Sequence, residues 1–332
     1  MGSRRLTGLA LTRESLSYID AMHAVLAHCG WFGASKAMLA GMTINGFRFS
    51  VDRKLSADSW HAYNWIAEHF LAADFIGVAS SQKAGFSFAP TFPLYRKHAV
   101  AMIKEAIDNG IGAVFWKDDF VVAAGYDDEA GCLLYADGSG AAPEELKPLP
   151  YDEFGCNETP YWYYQTFDAR IPLDELEIYR ESFMQAIFKW ETHDLMLSPS
   201  DYACGKQVYE AFIKFLDADD GCHAEARPLL WRYAAAKRDL ADYAAELAKI
   251  WPDCLPIADC YAGVAERFAQ LSAELSASDT GGSGPNADRM NADVPAVPLL
   301  REAAELENRA VQLMKSMMRE RLHNRFGDIS LR

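Results

Sequence analysis

The alternation of apolar and polar positions predicts a compact strand meander between Gly112 and Asp137. Residues 113–116, 120–124 and 132–135 form three short apolar runs in succession. The last two runs are separated by a polar turn rich in Asp and Gly, which is typical of a β-hairpin. A further aromatic run at residues 162–167 predicts another strand. The meander is therefore expected to form the centre of an antiparallel sheet.

Helical spacing of apolar residues predicts the first helix between residue 12 and Cys29–Gly30. Tyr18, Met22, Val25 and Leu26 recur at the spacing of one helix face, and Thr12 or Ser15 can cap the start. The same spacing predicts three further helices in the first half of the chain, at residues 35–39, 59–72 and 96–109. On the helix at 59–72, Trp60, Tyr63, Ile66 and Phe70 are expected on one side.

From residue 172 onward the pattern is helical throughout. Helices are predicted at residues 173–192, 202–216, 228–250, 258–275 and 299–323. The segment 276–298 is rich in Gly, Ser, Asn, Asp and Pro and is expected to be a flexible loop. We therefore predict an α+β fold class, with an α+β domain over residues 1–170 followed by an all-α helical domain over residues 171–332.

Composition narrows the classes of partner. The chain has 332 residues, of which half are hydrophobic, and a formal net charge of -15. An acidic surface disfavours nucleic acid and anionic membranes as partners. No apolar run approaches the length of a membrane span, and the charged N-terminus lacks the apolar core of a signal peptide. We expect a cytoplasmic protein.

The cysteines predict reduced thiols. Seven are scattered along the chain with no Cys-x-x-Cys pair. A bridge between Cys254 and Cys260 is the alternative. Cys29 falls at the C-terminal end of its helix, where the helix dipole does not stabilise a thiolate.

Two other groups of residues could carry chemistry. Asp20 and His23 lie one turn apart on the first helix and could form an acid–base or metal-binding pair, or a satisfied surface pair. No metal-binding spacing of the His-Glu-x-x-His kind occurs, and no metal or cofactor is expected. Residues 161–164 are all aromatic, so that alternate side chains, Tyr163 among them, would face either the core or a ligand cleft.

Several short stretches together resemble the bacterial papain-like fold. They are residues 21–30, 41–49, 107–114, 119–127 and the strand that ends at Asp137. They are similar to bacteriocin-processing-type peptidases and to the N-terminal domain of the butirosin-biosynthesis acyltransferase family. The resemblance covers about the first 170 residues. It implies a papain-like domain with a small antiparallel sheet, followed by the helical domain found in proteins of secondary-metabolite clusters.

The resemblance also implies where a catalytic triad would lie. The nucleophile position falls on Ser17, or on Asp20 or Ala21 in a shifted alignment, where the family has Cys. The base position falls on Asp119, where the family has His, and the orienting position falls on Asp137. Only Asp137 keeps a family-like residue. A serine without an adjacent base is a weak nucleophile.

These observations leave two main hypotheses. The first is an enzyme that performs acyl transfer or amide processing on a small or carrier-bound intermediate. Its catalytic candidates are Ser17, Asp20, His23, Asp119 and Asp137, and its substrate-binding candidates are Trp31, Asp118, Tyr126 and Tyr163. The second is an inactive binding or scaffold protein on the same fold. A homodimer formed through the helical domain is a further expectation, based on the C-terminal helices alone.

Overall fold

The structure is a computed structural model that describes residues 2–140, 145–217, 227–277 and 296–327. The chain divides into two compact units. The first unit combines Met1–Thr43 with Asn64–Asp174, and the second combines Ile44–Tyr63 with Glu175–Arg332. The sequence predicts a boundary near residue 170, but its pattern gives no sign that segment 44–63 groups with the C-terminal helices.

The described residues form a mixture of helices and short strands. In chain order, the helices are α1 (Ser17–His28), α2 (Lys36–Met42), α3 (Trp65–Asp74), α4 (Phe92–Asp108), α5 (Glu175–Glu191), α6 (Gln207–Asp217), α7 (Arg227–Ile250), α8 (Leu255–Ala277) and α9 (Ala296–Gly327). The strands are β1 (Ser3–Arg5), β2 (Ser50–Asp52), β3 (Val78–Phe86), β4 (Ala113–Trp116), β5 (Phe120–Asp127), β6 (Cys132–Ala136), β7 (Lys147–Pro150), β8 (Tyr161–Arg170) and β9 (Tyr202–Cys204). The α+β class predicted from the sequence is confirmed.

An antiparallel sheet organises the first unit. Its strand order is β3-β8-β4-β5-β6-β7, and β1 pairs with β5 beyond the end of β4. The predicted meander is confirmed as β4, β5 and β6, with Val114 opposite Val122 and Tyr126 opposite Leu133. Because β8 pairs along its length with β3, the sheet extends well beyond the meander.

Two helices pack against the centre of this sheet. α1 contacts β4 and β5 and buries Tyr18, Met22, Val25 and Leu26, the face that its spacing predicts. α4 contacts β5 and β8. Every residue of β4 is buried, and so is nearly all of β5, which explains why these strands read as continuous apolar runs rather than as alternating ones.

The helix predicted at residues 59–72 is wrong in its start and in its buried face. Residues Ala57–His61 form a 3-10 turn, and α3 begins only at Trp65, because the Asn64 side chain accepts a hydrogen bond from the Ala67 N–H at 3.1 Å. Ile66 and Phe70 are consequently exposed. The buried residues of α3 are His69, Ala72 and Ala73.

The second unit is not purely helical, contrary to the sequence prediction. β9 pairs with β2 in a two-stranded antiparallel sheet, so the helix predicted at 202–216 begins only at Gln207. Gly205 joins β9 to α6 at a positive φ of 56°, and a Cβ there would lie 2.4 Å from the Trp190 carbonyl oxygen. The remaining helices pack as α7 on α8 and α8 on α9, with α5 and α6 also against α9.

Two further expectations concern the covalent and membrane state. The predicted loop at 276–298 lies almost wholly outside the described residues, as does Cys222. The other six cysteines, Cys254 and Cys260 among them, carry free thiols. Across the described ranges, no helix combines the length and the apolar character that a membrane crossing requires.

Candidate functional site

The candidate site lies at the N-terminal end of α1. Ser17 is the first residue of the helix and is buried, with 7% of its surface exposed. The residue before it, Leu16, caps the helix without a side-chain hydrogen bond, so the predicted caps Thr12 and Ser15 are wrong. The Asp20 carboxylate instead accepts the backbone N–H groups of Glu14 and Ser15, each at 3.1 Å.

Asp20 is a fully buried carboxylate paired with a lysine. Lys36 Nζ lies 3.0 Å from Asp20 Oδ1 and also donates to the Thr12 side chain at 2.6 Å. Burial raises the pKa of Asp20, and the Lys36 charge and hydrogen bond partly oppose that rise. Because Lys36 is the first residue of α2, its contacts with Asp20 and Thr12 anchor α2 to α1 and to the segment that precedes α1. Asp20 therefore has a structural role and is not an exposed acid.

His23 does not share the surroundings of Asp20. Its Nε2 donates to the Ala34 carbonyl at 2.9 Å, and its ring meets Phe32 edge-on with 6.0 Å between centroids. The structure therefore gives Asp20 and His23 separate partners. Among the described residues, no group of three or more His, Cys, Asp or Glu side chains is arranged to hold a metal ion.

The three positions that the resemblance assigns to a triad meet around Arg13. The Arg13 Nε donates to the Asp137 carbonyl at 2.9 Å, and Nη1 donates to the Ser17 carbonyl at 3.4 Å. The Nη2 atom lies 3.9 Å from Asp119 Oδ2. Ser17, Asp119 and Asp137 are thus close in space, but a guanidinium connects them rather than direct contacts between their side chains.

Asp118 and Asp119 belong to the three-residue turn between β4 and β5. Asp118 has a positive φ of 59°, a conformation that Asp tolerates better than most residues. Its carboxylate accepts the Glu158 N–H at 2.7 Å and pairs with Lys117. Asp119 Oδ1 accepts the Phe120 N–H at 3.0 Å. Both carboxylates therefore contribute hydrogen bonds that hold the turn.

Asp137, which follows β6, is held as an anion. Lys147 Nζ lies 2.6 Å from Oδ2, and Oδ1 accepts the Ser139 N–H at 3.0 Å and its hydroxyl at 2.9 Å. Burial would raise the pKa of Asp137, but the hydrogen bonds from Lys147 and Ser139 outweigh it and lower the pKa below the ordinary range. The carboxylate thus has a structural role in the turn after β6.

An aromatic cluster begins one residue after Asp119. Its members are Tyr18, Trp65, His69, Trp116, Phe120, Tyr161 and Tyr163. The rings of Tyr18 and His69 are stacked, with centroids 3.5 Å apart. Phe120 lies near the centre, 5.2 Å from Trp65 and 5.1 Å from Trp116. Tyr161, with 42% of its surface exposed, brings the cluster to the surface.

A buried amide fixes the inner end of the aromatic cluster. Gln165 Oε1 accepts the Tyr18 hydroxyl at 2.9 Å and the Tyr163 hydroxyl at 3.2 Å. Its Nε2 donates to the His69 carbonyl at 3.2 Å and to Ser80 Oγ at 3.1 Å. Tyr163, a predicted substrate contact, is fully buried in this network. No sequence pattern points to His69 or Gln165 beyond their polar side chains.

The remaining substrate-binding candidates lie elsewhere. Trp31 follows the C-terminal end of α1, a helix of 12 residues, and so lies about 18 Å or more from Ser17. Tyr126 lies near the far end of β5, where its hydroxyl donates to Asp108 Oδ1 at 2.7 Å. That hydrogen bond, with burial, raises the pKa of Tyr126.

Cys29 sits at the same end of α1 as Trp31. Its thiol contacts the Leu26 carbonyl at 3.5 Å, and burial raises its pKa, which reduces the thiolate fraction. The structure brings together Ser17, Asp119 and Asp137 and does not bring Trp31, Tyr126 or Cys29 to them.

Sequence comparison with known families and curated proteins adds no relative to this picture. No protein-family model matches the chain, and no curated protein shows significant sequence similarity to it. The papain-like relationship remains a prediction from the sequence.

Proposed function

We propose that the first unit is a papain-like binding module that holds an acyl- or amide-type molecule, free or attached to a carrier protein, without transforming it. The secondary-metabolite setting is the one that the sequence resemblance implies. The observation that carries the proposal is Arg13, whose guanidinium reaches Ser17, Asp119 and Asp137 at once.

Acyl transfer by Ser17 would need a base that takes the proton of its hydroxyl. Asp119 faces the positive charge of Arg13 and already accepts the Phe120 N–H. Asp137 has a lowered pKa and three hydrogen-bond donors on its carboxylate. A carboxylate stabilised as an anion is a poor proton acceptor near neutral pH. These contacts support binding over catalysis.

Arg13 itself can contact a ligand. A guanidinium carries five N–H donors, and the two hydrogen bonds to main-chain carbonyls use only part of them. At 3.9 Å, Nη2 is beyond hydrogen-bond distance from Asp119, and a quarter of the Arg13 side chain is exposed. The free donor direction suits a carbonyl or carboxylate oxygen of an acyl group.

The aromatic cluster favours a ligand whose acyl group is apolar. Phe120 connects the turn that holds Asp119 to Trp65 and Trp116, and Tyr161 opens the cluster to the surface. Aromatic faces bind flat or acyl groups mainly through buried apolar area. An acyl oxygen at Arg13 and an acyl chain along the aromatic rings form one consistent arrangement.

The first test separates binding from catalysis. The protein is incubated with acetyl, butyryl and benzoyl thioesters of N-acetylcysteamine, and with the same groups on a phosphopantetheinyl carrier protein. Intact-protein mass spectrometry follows the adducts. We expect no acylated protein and no transfer product. An adduct or product that disappears in Ser17→Ala would establish the enzyme alternative instead.

The second test measures binding of the same thioesters by calorimetry. We expect Arg13→Ala to weaken binding about tenfold or more, because the variant loses one or two charge-assisted hydrogen bonds to the ligand. Arg13→Lys should be intermediate, and Arg4→Ala, on the exposed strand β1, is the matched control. If no thioester binds, or if Arg13→Ala binds as well as the wild type, the proposal is wrong.

A further inference from the structure

A second group of unusual charges lies in the second unit. It consists of Arg48, Trp60, His61, Tyr63 and Arg232, and we call it the arginine cluster. Arg48 follows the 3-10 turn Asn45–Phe47, whereas Trp60 and His61 end the 3-10 turn Ala57–His61. Arg232 lies on α7, which contacts both turns. The cluster therefore joins residues that are far apart in the chain.

Aromatic faces hold both guanidinium groups. The Arg48 guanidinium carbon lies 3.5 Å from the centroid of the Tyr63 ring and 5.4 Å from that of Trp60. The Arg232 guanidinium carbon lies 5.8 Å from the same Trp60 ring. Cation–π contacts of this kind fix the plane of a guanidinium while leaving its N–H edge available to an acceptor.

Among the side chains that the structure describes, neither Arg48 nor Arg232 forms an ion pair with a carboxylate, although acidic residues outnumber basic ones in the chain. The Nη1 atom of Arg48 is buried and has no hydrogen-bond partner among the residues that the structure describes. A buried charged donor without an acceptor is costly, and an oxygen supplied by a ligand would remove that cost.

The pKa of His61 is affected by the positive charges of the cluster. Burial lowers the pKa of His61 to about 3, with further lowering by the charges of Arg232 and Arg48. The imidazole is therefore neutral at physiological pH and adds a polar group without adding charge. The two guanidiniums therefore supply the charge of the cluster.

We propose that the arginine cluster is a binding site for an oxyanion, the phosphate or carboxylate group of a small ligand, held between Arg48 and Arg232. Planar guanidiniums match the oxygens of both groups in a two-pronged geometry. The site belongs to the second unit and does not depend on the function proposed for the first. It gives the second unit a ligand-binding role.

The test is calorimetric titration of the full chain with inorganic phosphate, phenyl phosphate, acetate and benzoate, with chloride as the background anion. The phosphate and carboxylate arms distinguish the two sources of the oxyanion, and the phenyl compounds report stacking on the aromatic faces. The variants are Arg48→Gln, Arg232→Gln and their combination. Arg267→Gln is the matched control, because Arg267 is already paired with Glu266 and Glu302.

We expect at least one anion to bind the wild-type chain, each single variant to weaken binding about tenfold, and the double variant to abolish it. Arg267→Gln should bind within about twofold of the wild type. Arg48→Lys, which keeps the charge without the planar fork, guards against a loss caused by unfolding and should keep part of the affinity. Absence of binding by the wild type, or equal affinity in the double variant, would overturn the proposal.

Discussion

At the scale of residues, a buried ion pair is the feature on which stability depends most strongly, and the pair of Lys237 with Glu307 is the clearest case. The Lys237 ammonium lies 2.6 and 2.8 Å from the two carboxylate oxygens of Glu307, and both side chains are almost fully buried. The Tyr209 hydroxyl donates to the same carboxylate at 2.6 Å, and Nζ lies 4.1 Å from the Phe49 ring centroid. Burial lowers the pKa of Lys237, and the neighbouring carboxylate opposes that shift.

Removal of one member of this pair should destabilise the second unit strongly. We expect Lys237→Met to lower the free energy of unfolding by about 3–5 kcal/mol, because it leaves the Glu307 carboxylate buried without its counter-charge. The double variant Lys237→Met with Glu307→Gln should recover most of the loss, since the amide still accepts from Tyr209 and carries no charge. Urea denaturation measures both values. A single variant within about 1 kcal/mol of the wild type would contradict this account.

Arg13 makes a related point about the candidate site. A sequence reading that follows nucleophile, base and orienting positions selects Ser17, Asp119 and Asp137, and the structure does place the three near one another. Nothing in the sequence marks Arg13, because it lies outside any motif and the predicted helix, which starts at residue 12, places it in an ordinary first turn. The same holds for Lys36, whose pairing with Asp20 depends on how α2 folds back. Long-range partners of charges are invisible to local patterns.

At the scale of elements, β8 is the strand on which the first unit depends most. It pairs with β3 on one side and β4 on the other, and it carries Gln165 into the core. The amide joins β8 to α1 through Tyr18, to α3 through the His69 carbonyl and to β3 through Ser80. One side chain thus links four elements.

Replacement of that amide tests the link. We expect Gln165→Leu to cost about 2 kcal/mol or more in unfolding free energy, because several buried polar groups each lose a hydrogen bond. Gln82→Leu is the matched control. Gln82 lies opposite Gln165 on β3 and accepts the part-buried Ser80 hydroxyl at 3.1 Å, while its exposed amide donates to the Ile66 carbonyl at 3.3 Å, so its loss should stay below about 1 kcal/mol. Chemical denaturation followed by tryptophan fluorescence gives both. If Gln165→Leu and Gln82→Leu lower the unfolding free energy equally, the Gln165 hydrogen-bond network does not account for the loss.

How far the elements can be predicted from sequence depends on how they are buried. β4 and β5 are buried on both faces and stand out as apolar runs, and the faces of α1 and α7 follow helical spacing. β3 is different: its sequence, Val-Ala-Ser-Ser-Gln-Lys-Ala-Gly-Phe, is polar at its centre, and it forms a strand because β8 supplies its hydrogen-bond partners. β9 likewise exists only because β2 pairs with it.

At the scale of the whole molecule, the response to acid follows from how carboxylates are paired. The chain carries 47 acidic and 32 basic residues. In the first unit Lys104 pairs with Asp128, and Lys147 pairs with Asp137. The hydrogen bond from Lys104, then that from Tyr151, lowers the pKa of Asp128 to about 2. The pKa of Asp20 shifts in the opposite direction, because burial raises it in the folded state.

The sign of the pH dependence can be worked out for Asp128. Its folded-state pKa of about 2 lies below the ordinary aspartate pKa of 3.8, so the unfolded chain binds more protons between these values. The stabilisation that Asp128 provides should therefore be complete above about pH 4 and disappear as the pH falls toward 2.

For Asp128→Asn, the difference in unfolding free energy from the wild type should vanish over that window. Asp127→Asn keeps the oxygen that holds the adjacent turn and serves as the control for a substitution at the neighbouring position. Urea unfolding at a series of pH values from neutral down to about 2 measures the slopes, and a wild-type slope in Asp128→Asn would rule out the assignment.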